Sequence, residues 1–316
     1  MEPPVSIDCR HWTTLIVLVV LALIPAVVAL TGQVFYQDLC NRLMILAVAA
    51  TSLNLILGYG GMISFGHAAY LGIGAYCVGI PAHYELYSGF IHFPLAIGAS
   101  ACFALLTGMI CLRTTGVYFI MITMAFAQML FFAFVSIETY GGDDGLVIEW
   151  RSEFGPYLNL ENPLILYYVT FAALIICLYL LHRMVQARFG MVIAGAKGNE
   201  RRMQAIGFNT YPYRLTCYVI SGAMCGFAGA LLGNFTYFIS PEMMDWTRSG
   251  ELIFMVVLGG AGSLFGPVLG SAAFLLLEEF LSATTIYWQL IFGILLILVV
   301  LFARGGIVGL LGPGSR

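Results

Sequence analysis

Charge is what this chain has least of. Asp, Glu, Lys and Arg make up 9% of its 316 residues, and 61% are hydrophobic. A soluble domain carries roughly 25% charged residues, so a soluble core of this length cannot hide so much apolar surface. The composition specifies a polytopic membrane protein with no large soluble domain and no nucleic-acid partner. The formal net charge of −3 says little, because the distribution of charge decides topology. Cysteine pairing is also absent. The eight cysteines, at positions 9, 40, 77, 102, 111, 177, 217 and 225, form no CxxC pair and mostly sit in apolar runs. They read as small buried hydrophobes, with no disulfide framework and no metal site expected. No GxxxxGK[ST] sequence occurs, so the chain does not handle ATP by that route. No series of Asp, Glu and His crosses the apolar segments, as a proton-driven carrier usually needs, although sodium coupling through backbone carbonyls stays open. Glu251, Glu278, Glu279 and Arg113 fall near predicted span ends. No fixed charge pair is therefore expected inside the spans to clamp an ammonium and a carboxylate. A membrane enzyme acting on lipid would need clustered His, Asp and Glu at one interface. None is found, and neither an enzyme activity nor a cofactor is expected.

What the chain has is apolar runs. A span needs about 20 such residues. Candidates lie near 13–30, 40–58, 62–80, 93–112, 116–137, 163–182, 213–239, 246–259, 264–281 and 286–303. The expected fold is an all-α transmembrane bundle of about ten spans, with glycine-broken helices, in a single domain over residues 1–316. The first run contains Pro25 and exceeds the roughly 7–15 residues of a signal-peptide core, so an uncleaved span is expected. Arg183, Arg188, Lys197, Arg201, Arg202 and Arg214 put six of thirteen basic residues around one loop. That loop should be cytoplasmic. The loop from Glu138 to Glu161 carries six acids against Arg151 and should face outward. Both termini then fall inside. Arg42 and Arg248 fall on the outer side against the rule, and each can snorkel or pair with a nearby acid.

Polar groups interrupt the apolar runs at a few places. From Leu53 to Tyr76, glycines recur and Asn54, Ser64 and His67 stand in apolar surroundings. Such a segment packs closely or breaks around a cavity. His67 has no acidic neighbour in sequence, so packing between helices is favoured over a proton relay. Asn54 and Gln128 offer both donor and acceptor and are better candidates to line a path, with interhelical bonding an equal alternative. The run Arg113–Gln128 opens a span, with Thr115 and Thr123 as small polar points. Gly259–Pro267 is a second interrupted segment, either a tight turn or half of a structural repeat with 58–66. Tyr140–Gly145 reads as a solvated acidic turn that contacts a partner, since the longer alternating pattern of a calcium loop is missing. The basic loop, taken as 183–212, contains Glu200–Asn209, where Met203, Ala205, Ile206 and Phe208 suit a short amphipathic helix ended at Gly207. Docking to a protein is favoured there over attraction to anionic membrane lipid.

These pieces together resemble the inner-membrane permeases of bacterial branched-chain amino-acid ABC transporters, the LivM-type subunit. The resemblance rests on Leu53–Gly58 followed by Ser64–Ala68, on Gly116–Phe119 leading to Ala125–Gln128, and on Gly141–Leu146. It continues through Asn199–Arg202, Ala205–Gly207, and Gly259-Gly260 to Gly266-Pro267, covering about residues 40–305. The family implies a channel-forming subunit paired with a second, LivH-like permease, two cytoplasmic ATPase subunits and a periplasmic substrate-binding protein. It implies that the basic loop carries the coupling helix, with Glu200, Arg201, Ala205, Ile206 and Gly207 at the ATPase contact. Asn54, Ser64, His67 and Gln128 are then expected near the translocation path at the heteromeric permease interface. The short stretch 304–316 has no extended feature, which leaves its contact with an ATPase open. Related permeases carry urea or short amides, and the sequence does not separate these from branched-chain amino acids. A self-contained carrier or channel is the rival outside the class.

Overall fold

The computed structural model of the chain describes residues 17–26, 28, 32, 34–155, 159–302 and 305–311. The expected placement of both termini, and Arg304, fall outside the described residues. The fold is a helical bundle. Its helices are α1 (Val17–Ala26), α2 (Val34–Asn54), α3 (His67–His83), α4 (Gly89–Cys111), α5 (Val117–Val135), α6 (Pro163–Gln186) and α7 (Arg188–Ala205). They continue as α8 (Thr210–Thr236), α9 (Trp246–Gly259), α10 (Gly266–Thr284), α11 (Trp288–Phe302) and α12 (Gly306–Leu311). Strands β1 (Leu146–Val147) and β2 (Phe238–Ile239) form a short antiparallel ribbon, pairing Leu146 with Ile239.

Six segments are long and apolar enough to cross a membrane: α2 with its continuation to Tyr59, α4, α5, α6, α8 and α10. The runs expected near 13–30, 62–80, 246–259 and 286–303 fall on shorter helices, α1, α3, α9 and α11. Ten spans is thus an approximation. At 1.5 Å per residue, the 17 residues of α3 and 14 of α9 extend about 25 and 21 Å, short of a hydrocarbon core of about 30 Å. α3 starts inside the bundle, at the fully buried His67.

α8 is the hub, packed on α2, α3 and α4. Small residues let the backbones touch. A Cβ on Gly74 would fall 1.9 Å from the Gly226 carbonyl, and one on Gly229 would fall 1.9 Å from that of Leu71.

The segment between α5 and α6 forms a folded cap on one end of the bundle. Arg151, the lone base of this acidic stretch, is buried. It donates to the carbonyls of Asn234 (2.8 Å) and Leu160 (2.9 Å) and lies 4.4 Å from the Tyr237 ring centre. A desolvated guanidinium needs such partners, so this residue is an internal anchor. Burial, and the hydrogen bond to Glu161, push the Tyr237 phenol up from its ordinary value.

α7 and the start of α8 lie at the other end. The basic loop is more helical than the sequence suggests, because α7 runs from Arg188 through a kink at Asn199 to Ala205. Gly207 adopts φ +98°, with its amide on the Gln204 carbonyl and the Phe208 amide on that of Met203. This is the left-handed helix stop that glycine favours.

Candidate functional site

The first break follows α2. Beyond Asn54 the chain widens into a π-turn, Leu55–Tyr59, and then leaves helical geometry until His67. The fully buried Asn54 side chain holds this break against the second one. Its Nδ2 donates to the Ser263 carbonyl (2.8 Å), and its Oδ1 accepts from the Gly262 amide (2.9 Å). The two glycine-rich segments, 209 positions apart at Asn54 and Ser263, therefore touch. A Cβ on Gly58 would fall 2.3 Å from the Gly262 nitrogen. From α7, Lys197 Nζ donates to the Gly58 carbonyl at 2.6 Å.

The second feature is the start of α3 in the middle of the bundle. His67 is fully buried, with Nε2 2.8 Å from Ser221 Oγ near the middle of α8 and Nδ1 3.3 Å from Ser64 Oγ. Ser221 gives its hydroxyl proton to the Ser52 carbonyl. Its oxygen must then accept from His67 Nε2–H, and Nδ1 accepts from Ser64. Both ring nitrogens are occupied, and the ring ties the start of α3 to α8. The next amide, of Ala68, is taken by Ser249 of α9 (2.9 Å).

α9 starts beside α5. Its N-cap, Asp245, accepts from the Trp246 amide, the Thr247 hydroxyl and Gln128 Nε2 (2.7 Å), the last from the middle of α5. The Phe65 amide bonds Thr123 Oγ1 (3.2 Å), which lines α5 up beside Ser64. The structure thus brings Ser64 and His67 together and puts Gln128 on the helix that contacts their segment. Asn54 belongs to the other break. Of α5 only Phe119, Thr123 and Ala127 are buried, an i, i+4, i+8 stripe. Its other side exposes Val117, Tyr118, Met121, Met129 and Phe132.

At the end of α7, Arg201, Ala205, Ile206 and Gly207 are exposed, and Ile206 keeps 66% of its surface. Glu200 turns inward to Arg214 (2.9 Å) and Thr210 (2.8 Å), tying α7 to α8.

The expectation that Arg42 and Arg248 each pair with a nearby acid holds: Arg42 of α2 meets Glu278 of α10 (3.5 Å), and Arg248 meets Glu251 along α9 (3.0 Å). The first joins residues far apart in sequence. The second has i, i+3 spacing, which marks neighbours on a helix face. Sequence reasoning missed Lys197, counted only as loop charge, and Asp245. The Asp-Trp-Thr start of α9 is an N-cap pattern that could have revealed the latter. Among the described residues no group of three His, Cys, Asp or Glu is placed to hold a metal ion.

The fold is thus a bundle of apolar helices, broken at two glycine-rich segments around buried polar groups, with a polar helix at one end. Residues 35–300 match the family model described as the branched-chain amino acid transport system permease component, and the chain belongs to that family. It is 25% identical over 299 residues to the high-affinity branched-chain amino acid transport system permease protein LivM of Salmonella typhimurium, covering 87% of this chain and 70% of that protein. Against the Escherichia coli K12 protein of the same name, identity is 24% over 95% of this chain and 75% of the relative. The permease protein LivH of Escherichia coli K12 is 31% identical over 39% of this chain and 40% of its own length. No solved structure matches the chain.

Proposed function

We propose that the chain is one permease half of an ABC importer in the bacterial inner membrane, with both termini cytoplasmic, and that it moves branched-chain or similar small amino acids. It pairs with a second, LivH-like permease. Two cytoplasmic ATPase subunits drive it, and a periplasmic binding protein delivers cargo. The observation that carries this reading is the contact between Lys197 and Gly58. It joins the polar helix α7 directly to a broken membrane helix, as energy coupling from a separate motor requires.

The translocation path runs along the uncovered α5 edge, where Gln128 and Asp245 meet and Ser64 and His67 hold the start of α3 in place. Asn54 acts on the path indirectly, by locking the two breaks together. The exposed end of α7 and the residues after it, Arg201 to Gly207 within the 183–212 loop, form the ATPase contact, and Glu200 fixes its angle through Arg214. The sparse polar lining suits passage, since a path must also release its cargo.

Uptake of labelled leucine, isoleucine, valine and urea in a strain lacking this gene, with and without the chain restored, tests the reading. Restored uptake of the three amino acids supports it. Restored urea uptake alone overturns the substrate and keeps the importer class. Uptake that persists without any ATPase partner overturns the class.

A further inference from the structure

We infer that the cavity between α2, α8, α9 and α10 is a binding site for a zwitterionic α-amino acid with an apolar side chain. The inference rests on the importer reading and assigns that reading a site of its own, separate from the α5 edge. The cavity measures about 330 Å³, within the range of small-molecule sites. Four ionisable side chains converge on it: Arg42, Glu278, Arg248 and Glu251. Ionisable residues among membrane helices are costly and mark functional sites by default. Here they total two positive and two negative charges, which suits a ligand that carries one of each and no net charge. The rest of the wall includes Leu71, Leu232 and Phe274, an apolar surface for a branched side chain.

The two pairs differ. Arg248 grips Glu251 through both carboxylate oxygens, at 3.0 and 3.3 Å. Arg42 and Glu278 stand 3.5 Å apart, longer than the roughly 2.7–2.9 Å of a charge-assisted hydrogen bond. Of the two pairs, this looser one is placed to exchange partners. Arg42 then offers its planar fork to the ligand carboxylate, and Glu278 accepts from the ammonium. Urea and short amides carry neither charge, so the same four groups discriminate against them.

The experiment uses the purified chain with its co-purifying subunits in nanodiscs, and equilibrium binding of radiolabelled L-leucine. Isoamylamine, which lacks the carboxylate, and 4-methylpentanoate, which lacks the ammonium, serve as competitors. We expect saturable leucine binding, with both competitors at least tenfold weaker. Arg42→Gln and Glu278→Gln should each weaken binding at least tenfold. Leu232→Trp, which alters no charge and fills the cavity, should abolish it and keeps the test open if a charge variant fails to fold. Leucine uptake by the wild-type importer is read separately. Uptake that proceeds while binding is unchanged in all three variants overturns the cavity and leaves the importer reading standing. Cavity-dependent leucine binding by a chain that moves no amino acid supports the cavity and overturns the importer reading.

Discussion

Lys197 Nζ donates a 2.6 Å hydrogen bond to the carbonyl of Gly58, 139 residues away in sequence. The π-turn explains why that carbonyl is available. The amides of Gly60, Gly61 and Met62 take the carbonyls of Leu55, Leu57 and Ile56, and the Gly58 carbonyl is left for a side chain. Gly61 completes the contact, since a Cβ there would fall 2.8 Å from the Lys197 stem. A displacement of α7 therefore acts on the break without an intermediary. Lys197→Met keeps the apolar stem and removes the donor. A hydrogen bond to a charged group contributes about 1.5–3 kcal/mol. We expect uptake to fall about tenfold or more while the partner ATPase continues to hydrolyse ATP. Proteoliposomes in which the variant moves as much substrate per ATP as the wild type would remove the coupling role.

The Asn54 latch predicts a stability effect. Asn54→Ala removes both bonds to the part-buried Gly262 amide and Ser263 carbonyl, each a net contribution of about 1 kcal/mol. Gly58→Ala puts a methyl 2.1 Å from Asn54 Oδ1 and 2.3 Å from the Gly262 backbone nitrogen, so backbone must shift. Overpacking of this kind costs about 1–3 kcal/mol. Both variants should unfold at lower temperature in detergent. Because they act on one contact, their effects should not add. Unchanged melting in both would mean that the two breaks are held elsewhere.

Hydropathy made the long helices legible, and glycine density marked both breaks. Neither signal says where in the bundle a helix begins. The runs at 62–80 and 246–259 read as short, glycine-rich spans with weak limits, and α3 and α9 begin where Ser221, Ser249, Thr123 and Gln128 from other helices bond their starts. Such partners are 58 to 181 residues away and leave no local pattern. The anchoring role of Arg151 was not legible: a single base in an acidic loop has no local partner pattern, and only the fold buries it.

The end of α7 should tolerate a charge as folded structure and fail as an interface. Ile206 keeps 66% of its surface, so Ile206→Asp disturbs little within the chain. An unpaired carboxylate in a desolvated contact costs several kcal/mol. We expect normal membrane expression and melting, with ATPase co-purification reduced at least tenfold. Full co-purification with normal uptake would move the ATPase contact elsewhere.

The proposed orientation rests on the charge contrast between the two ends. In a cysteine-free background, Asp143→Cys should react with an impermeant maleimide added from the periplasmic side, and Arg201→Cys only after the membrane is opened. The reverse pattern would invert the bundle.

Gln128 gives the sharpest test of the path. Its amide donates to Asp245 at 2.7 Å, at the point where α5 meets the start of α9. Asp245 keeps the Trp246 amide and the Thr247 hydroxyl when that donor is lost. Gln128→Leu should therefore melt close to the wild type but lower uptake several-fold. Gln128→Glu makes a more specific demand. It sets a second carboxyl against Asp245 where the amide donated, so repulsion replaces a hydrogen bond. Uptake by Gln128→Glu should therefore fall further than in Gln128→Leu. Uptake that matches the wild type in both variants would place the path away from Gln128 and Asp245.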